Sequence, residues 1–391
     1  MFTFVTQYIL MDIPLLKQLF KICKEETLYG RYIHSAHINP LLKKHNKTFK
    51  IQPIGHSVLG ETILSIIIGS GPKRILMWSQ MHGNESTTTK AVFDVLNVFN
   101  HANDFSEAVL KECTITIIPI LNPDGAVAYT RLNANNVDLN RDAQNLSQPE
   151  SRVLRECFNS FKPHFCFNLH GQRTIFSAGK TNNPATVSFL SPAQDARCTV
   201  TDNRQVAMSI IKYMNRMLQF EIPNQVGLYD DAYNANCVGD AFQSLNVPTV
   251  LFEAGHYKND YNREEVRRLM FQSLIVAVDA IASNKIKGKS YEEYAAIPLN
   301  EKLFYDIIIK NVTYKNEIMD IAIQYHERLI ENKLHFIPII EKIEKLDKFY
   351  AHKTLEANKN EVLTLNDQQV SIGDEIDFVN ISNVKFSLNI E

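Results

Sequence analysis

No run of ~18 consecutive apolar residues occurs in the 391-residue chain, so the sequence offers no transmembrane helix. Charge of one sign is not in excess either: 41 Lys and Arg stand against 43 Asp and Glu, a formal net charge of −2. A nucleic-acid binder working through a basic field shows a strong positive excess, so that class is set aside. Six cysteines are spread along the chain without a Cys-x-x-Cys pair. Cys113 and Cys166 fall in apolar, strand-like runs, where a reduced, buried thiol is the expectation and a cytoplasmic compartment fits best. Internal repeats and low-complexity tracts are also absent. The apolar start MFTFVTQYILM has no Lys or Arg before it and no small-x-small cleavage site after it, so it is expected to stay unprocessed. Met11 is an alternative start, because the amphipathic pattern Ile13, Leu15, Leu16, Leu19 and Phe20 begins only after it.

What is present is 45% hydrophobic content, enough for a sizeable core, in a chain longer than the usual ~100–200 residues per domain. From residue 45 to 284, short apolar runs alternate with helical patterns. Thr62–Ile68, Arg74–Ser79, Thr114–Ile120, Phe165–Leu169 and Pro248–Phe252 read as strands. Thr87–Phe99, Ser151–Phe161 and Val206–Leu218 read as helices, and Asn262 with Glu265 reads as a capping box opening another. This alternation predicts an α/β sheet with helices on both faces. The polar residues of interest sit where strands end, the edge at which ligands bind in open α/β sheets. Arg173 to Asp202, rich in Asn, Ser, Pro and Thr, is expected to be a loop beside the cleft. Three parts follow: a mostly helical lead over 1–44, a catalytic domain over 45–284, and a β-containing appendage over 285–391. In the appendage Asp306–Ile309, Ile318–Tyr325 and Asp377–Asn380 look strand-like, and Ser371–Asp374 looks like a turn.

His82-Gly83-Asn84-Glu85 follows a strand and can aim an imidazole and a carboxylate at one point, which suits Zn²⁺. Alone, H-x-x-E arises often by chance, and a surface His beside a helix-start Glu is the plain alternative. A third ligand must come from another strand end. His170 qualifies directly after Phe165–Leu169, with His256 as the nearest competitor. Two His and one Glu leave a fourth position open, as in hydrolytic rather than structural zinc sites. Glu253, on the tip of the strand Pro248–Phe252, is placed to be a general base. Between these groups lie Asn122-Pro123-Asp124-Gly125, a turn signal, then Arg131, Asp138, Asn140 and Arg141. Fixed guanidinium groups can hold a carboxylate and stabilise an oxyanion; surface salt-bridging is their plain alternative.

H-x-x-E at His82 and Glu85, N-P-D-G at Asn122 to Gly125, D-x-N-R at Asp138 to Arg141, the lone His170 and F-E-x-G at Glu253, in that order, resemble the zinc carboxypeptidase family (the funnelin metallopeptidases) over roughly residues 45 to 284. The resemblance implies a mixed, mostly parallel eight-stranded sheet flanked by helices, and one zinc ion per chain on His82, Glu85 and His170. It further implies Glu253 as general base and acid, Arg131 as the group polarising the scissile carbonyl, and Asn140 with Arg141 as the grip on the substrate's terminal carboxylate. Asp138 resembles the carboxylate that orients the first zinc-bound His. Tyr233, seven residues before Asp240, is similar to the tyrosine that closes over the substrate, and Tyr229 competes for that role. The chain departs from digestive members in lacking a secretory pre-pro segment, in its short interval from Glu85 to His170, and in Gly239, where a pocket-lining residue is expected.

The expected function is a zinc-dependent metallocarboxypeptidase that hydrolyses an amide next to a free C-terminal carboxylate, with a zinc-bound water activated by Glu253. Alternatives are a deacylase of N-acyl amino acids (aspartoacylase-like) and a cell-wall peptide amidase. A binding protein that kept the fold without catalysis remains the reading from another class. The expected partner is a peptide or acyl-amino-acid substrate, with neither nucleic acid nor membrane.

Overall fold

Strands with apolar residues on both faces need cover on both faces, and the molecule supplies it. The computed structural model describes residues 12–101, 103–287 and 291–390; the apolar start and Met11 lie outside them. The lead carries α1 (Ile13–Cys23) and α2 (Ser35–His45). The sheet strands follow as β1 (Lys50–His56), β2 (Thr62–Ile68), β3 (Lys73–Ser79), β4 (Cys113–Ile118), β5 (Phe165–Gly171), β7 (Val187–Leu190), β8 (Val226–Leu228) and β9 (Thr249–Ala254), with the short β6 (Phe176–Ala178) outside that sheet. Their order is β1-β2-β4-β3-β5-β9-β7-β8. The central β4, β3, β5 and β9 run parallel, whereas β1–β2, β2–β4 and β7–β9 are antiparallel pairs. This is the mixed, mostly parallel arrangement expected.

The helices that cover it are α3 (Thr87–Asn100), α4 (Asp104–Glu112), α5 (Pro123–Ala128), α6 (Pro149–Phe161), α7 (Asp202–Glu221), α8 (Val238–Ser244), α9 (Glu264–Ala282) and α10 (Tyr291–Ala295). Successive strand residues point to opposite faces. Ile75 and Met77 of β3 pack with α1, α3, α7 and α9 in one core, while Leu76 and Trp78 pack with α6 and α8 in another. The fully buried Arg267 of α9 clamps Asp94 of α3 through Nη2 at 2.6 Å and Nε at 2.7 Å, and donates to the carbonyls of Glu25 and Leu28 in the lead. Removing one partner of such a buried pair typically costs ~3–5 kcal/mol, so the lead is fastened to the sheet's cover.

Three local expectations change. The α9 N-terminus is capped by Asp260, whose carboxylate accepts from Glu264 N–H and Val266 N–H, instead of by an Asn262–Glu265 box. Asp260 stands farther upstream because Asp260 to Arg263 form a turn before the helix, with Arg263 at φ +58°. Arg173 to Asp202 is not merely a loop: it contains β6 and β7, and β7 joins the central sheet beside β9. Asn122–Gly125 opens a helix, because the Asn122 side chain accepts from Gly125 N–H and Pro123 takes the first helical position.

The C-terminal part is β-built, as expected. β10 (Asn300–Lys302) pairs with β6. β11 (Phe304–Tyr314), β12 (Glu317–Ile330), β13 (Lys333–Glu344) and β14 (Tyr350–Glu356) form a four-stranded sheet, and β15 (Val362–Leu363), β16 (Phe378–Ile381) and β17 (Val384–Ser387) a three-stranded one. The Ser371–Asp374 turn is present, with Asp374 N–H on the Ser371 carbonyl at 3.1 Å and Gly373 at φ +91°. Asp306 of β11 is buried and accepts from Tyr325 N–H, the Tyr261 hydroxyl, the Gln324 amide and the Thr174 hydroxyl. His352 of β14 lies 2.8 Å from the Thr174 carbonyl. Thr174 follows β5, so these bonds bind the C-terminal sheet to the end of a central strand.

Candidate metal centre and cleft

His82 is delivered by β3 and a sharp turn, in which the buried Gln80 takes φ +44° and donates to the carbonyls of Ile33 and Gly83. The N-P-D-G segment holds that turn. Asn122 Nδ2 donates to the Met81 carbonyl, and Asp124 accepts from the Ser57 hydroxyl and Leu59 N–H in the β1–β2 turn. Gly83 lies so close to the chain at Gly125 that a Cβ on it would sit 1.9 Å from the Gly125 carbonyl carbon. The glycines of two separate motifs thus serve one backbone contact.

His170 and Glu253 arrive by register: they are paired residues on the adjacent parallel strands β5 and β9, so their side chains share a face. Glu85 stands just before α3 and completes the trio. Its Oε1 is 2.8 Å from His82 Nδ1, and its Oε2 is 2.8 Å from His170 Nδ1 and accepts from Gly171 N–H at 3.0 Å. The two Nδ1 atoms face one another at 3.0 Å. Ligand atoms of all three residues lie within 4.8 Å of each other.

Asp138 Oδ1 lies 3.0 Å from His82 Nε2. An ionised carboxylate only accepts, so the Nε2 proton belongs to His82 and its Nδ1 lone pair is directed at Glu85 and His170. Converging lone pairs with one carboxylate form a donor set that a divalent cation satisfies, and two N and one O suit zinc. Burial would raise the Glu85 and Asp138 carboxyls, but the neighbouring imidazoles hold both well below the usual range. His256, the competing ligand, is elsewhere: its ring packs on Tyr261 and His352 at centroid distances of 4.6 and 4.3 Å.

Glu253 is buried, and its Oε2 has no hydrogen-bond partner among the described residues. Burial first, and then the Glu85 charge, push its carboxyl well above the usual range. Arg131 donates from Nε to Asp138 Oδ2 at 3.1 Å and from Nη1 to Glu85 Oε1 at 3.4 Å. Asn140 Oδ1 accepts from Val238 N–H at 3.0 Å, which leaves its amide NH₂ as a donor. Arg141 Nη1 reaches the Asn140 carbonyl at 2.7 Å and Cys237 Sγ at 3.0 Å. His82, Glu85, Arg131, Asn140, Arg141 and Glu253 all border one cleft of about 760 Å³ at the strand ends.

Tyr229, at the end of β8, also borders this cleft, and Tyr233 is not among its lining residues. Gly239 lines it as well, and a Cβ there would meet Pro192 Cγ at 2.8 Å, so the close approach of Pro192 accounts for glycine at this position. Asp240 is buried beside it, which raises its carboxyl to about 6. Sequence reasoning missed Arg31, Arg173, Arg263, Tyr325, His326 and Glu327, which border the cleft from the lead, the β5 exit, the α9 start and β12. Only their residue types were legible; their meeting depends on how the C-terminal sheet docks.

Among the described residues no helix is long and apolar enough to cross a membrane. Carboxypeptidase 2 of Trichophyton equinum is 27% identical over 165 residues, covering 41% of this chain and 30% of that protein. Gamma-D-glutamyl-L-diamino acid endopeptidase 1 of Lysinibacillus sphaericus is 31% identical over 170 residues, covering 40% of this chain and 43% of that one. The chain therefore spans less than half the length of these curated relatives. A metallo-carboxypeptidase from Burkholderia cenocepacia superposes with a TM-score of 0.51 at 15% identity, covering 65% of this chain and 70% of that chain, a likeness of fold. The zinc carboxypeptidase family profile matches residues 35–244, more than half of the chain, and the protein belongs to that family.

Proposed function

We propose that the chain is a zinc-dependent peptidase that releases a C-terminal residue by hydrolysing the amide next to its free carboxylate. The observation that carries this reading is the convergence of the His82, Glu85 and His170 ligand atoms in a cleft that also holds the unpartnered Glu253 Oε2 and the guanidinium groups of Arg131 and Arg141. Zinc held by the three ligands would supply a Lewis acid that acidifies water and polarises a carbonyl.

The remaining work falls to the chain's own groups. Glu253 Oε2 takes the proton of the attacking water and passes it to the leaving nitrogen. Arg131 donates to the carbonyl oxygen as charge develops there. Its half-exposed side chain is free to turn from Asp138 toward a substrate. The Asn140 NH₂ and the remaining donors of Arg141 hold the terminal carboxylate. Tyr229, kept protonated by burial and by Glu253 and Glu85, is the hydroxyl donor at this cleft in place of Tyr233. The reading is tested by incubating the zinc-loaded protein with a peptide library and following masses: loss of single C-terminal residues supports it, and intact peptides with stoichiometric zinc sink it.

A second reading is favoured by the endopeptidase relative: hydrolysis within cell-wall peptides by the same groups. Release of fragments from muropeptides without attack on ordinary peptides would select it. Deacylation of N-acyl amino acids, the third use of the same chemistry, would show as turnover of N-acetyl or N-succinyl amino acids alone.

A further inference from the structure

The two ends of the cleft are chemically different. α8 and α9 pack on opposite faces of the central sheet. At the α8 end are Asn140 and Arg141, assigned above to the substrate's terminal carboxylate. At the α9 end the cleft is bordered by Arg31, Arg173, Arg263, Tyr325, His326 and Glu327. Three guanidinium groups border the cleft here beside one carboxylate, Glu327, with the Asp306 and Asp260 carboxylates within electrostatic reach of Arg31 and Arg263. Glu327 is already engaged, accepting from Arg31 Nη1 at 2.6 Å and from the Tyr129 hydroxyl at 2.5 Å, and His326 is paired with Glu341.

Arg263 is 1% exposed and, among the described residues, donates only to the carbonyls of Ala254 and Gln172. Its Nε has no partner among the described residues. Arg173 is exposed and has no ion-pair partner among the described residues. Its neighbours are fixed: Gln172 by Arg263, and Thr174 by Asp306, Gln324 and His352. Arg263 thus makes no direct ion pair among the described residues and is offset at longer range by Glu327 and Asp260, while Arg173 keeps an unpaired positive charge at the cleft where β12 walls it.

We propose, resting on the hydrolase reading above, that this end is a subsite for an anionic group on the acyl half of the substrate, so that the preferred substrate carries a carboxylate on each side of the scissile amide. Arg173 contacts the acyl-side carboxylate, Arg263 supplies the buried field, and β12 with the Arg31–Glu327 pair forms the wall that bounds the subsite. The C-terminal sheet then takes part in choosing the substrate.

The test uses full-length, zinc-loaded protein and acetyl-Glu-X, acetyl-Gln-X and acetyl-Lys-X, with X the C-terminal residue released fastest. kcat/KM for the Glu compound should exceed that for the Gln compound at least ~10-fold, the lower range for a hydrogen bond to a charged group, and the Lys compound should be poorest. In Arg173→Gln the Glu-to-Gln ratio should fall toward one, and Arg173→Lys should restore part of it. Binding of the same three compounds to Glu253→Gln protein by calorimetry gives the order without turnover. If no compound is cleaved, the peptidase reading fails while the calorimetric order still decides the subsite. Equal kcat/KM and equal affinity for the Glu and Gln compounds, or a ratio untouched by Arg173→Gln, overturns the proposal.

Discussion

Asp138 and His82, separated by 56 residues in sequence, meet through a 3.0 Å contact between Oδ1 and Nε2 that decides which histidine nitrogen is left for a metal. Asp138 also accepts from Asn140 N–H and pairs with Arg131, so one carboxylate sets a ligand's tautomer and steadies two groups assigned to the substrate. In Asp138→Asn the accepting oxygen survives but the charge opposite Arg131 is lost. Zinc affinity should drop ~10–100-fold, the usual effect of removing a partner behind a ligand. Competition with a chromophoric chelator measures it, and unaltered affinity would remove Asp138 from this role.

Glu253→Gln keeps shape and removes the proton acceptor. Zinc content by emission spectroscopy should stay at the wild-type level while kcat falls at least ~10²-fold, the lower bound for a positioned base. Full turnover in this variant would assign the proton transfers to another group.

Gly83→Ala tests the backbone contact between two motifs. The added methyl would lie 1.9 Å from the Gly125 carbonyl carbon, so the His82 turn and the start of α5 must separate. Overpacking of this kind costs ~1–3 kcal/mol, and here it also displaces a ligand. Urea unfolding should show a lower midpoint together with reduced zinc stoichiometry; a variant matching wild type in both would mean the turn can yield freely.

Glu327 gives a pH dependence with a definite sign. Burial opposes ionisation, but Arg31, the Tyr129 hydroxyl and Arg263 outweigh it and hold the carboxyl below its usual value. A depressed folded pKa contributes stability that is complete above the unfolded value of ~4.3 and is lost as pH falls through the lower folded value. Thermal melting of wild type and Glu327→Gln should therefore differ most near neutrality and converge in acid. A difference that is constant from pH 7 to pH 3 would contradict this.

Much of the region from residue 45 to 284 was legible because its signals are local. Apolar runs ending in His82, His170 and Glu253 marked strands whose tips meet, and parallel register makes neighbours of His170 and Glu253 whatever the loop between them does. What could not be read depends on distant pairing. β7 was hidden in a polar stretch because its partner β9 lies some sixty residues onward. Tyr233 has the interval to Asp240 that spacing favours, whereas Tyr229, which follows β8, is the one of the two that borders the cleft. The cap of α9 lay at Asp260 because a turn, invisible to a capping-box pattern, precedes the helix. Ile318–Tyr325 was legible as a strand, but nothing local marked Tyr325 to Glu327 as a wall of the cleft, since that placement arises from the Asp306 network that docks one sheet on another.

The position of β9 also governs the order in which the molecule can be built. β7 and β8 join the central sheet only through β9, which is synthesised after both of them. A chain emerging from the ribosome therefore carries the 187–228 region as an unclosed edge until residue 254 has appeared, the kind of non-local pairing that slows folding and exposes strand edges to aggregation. The strand bearing Glu253 is thus the last central piece to arrive and the one that completes the sheet, so the proposed active site cannot assemble before that strand has been made.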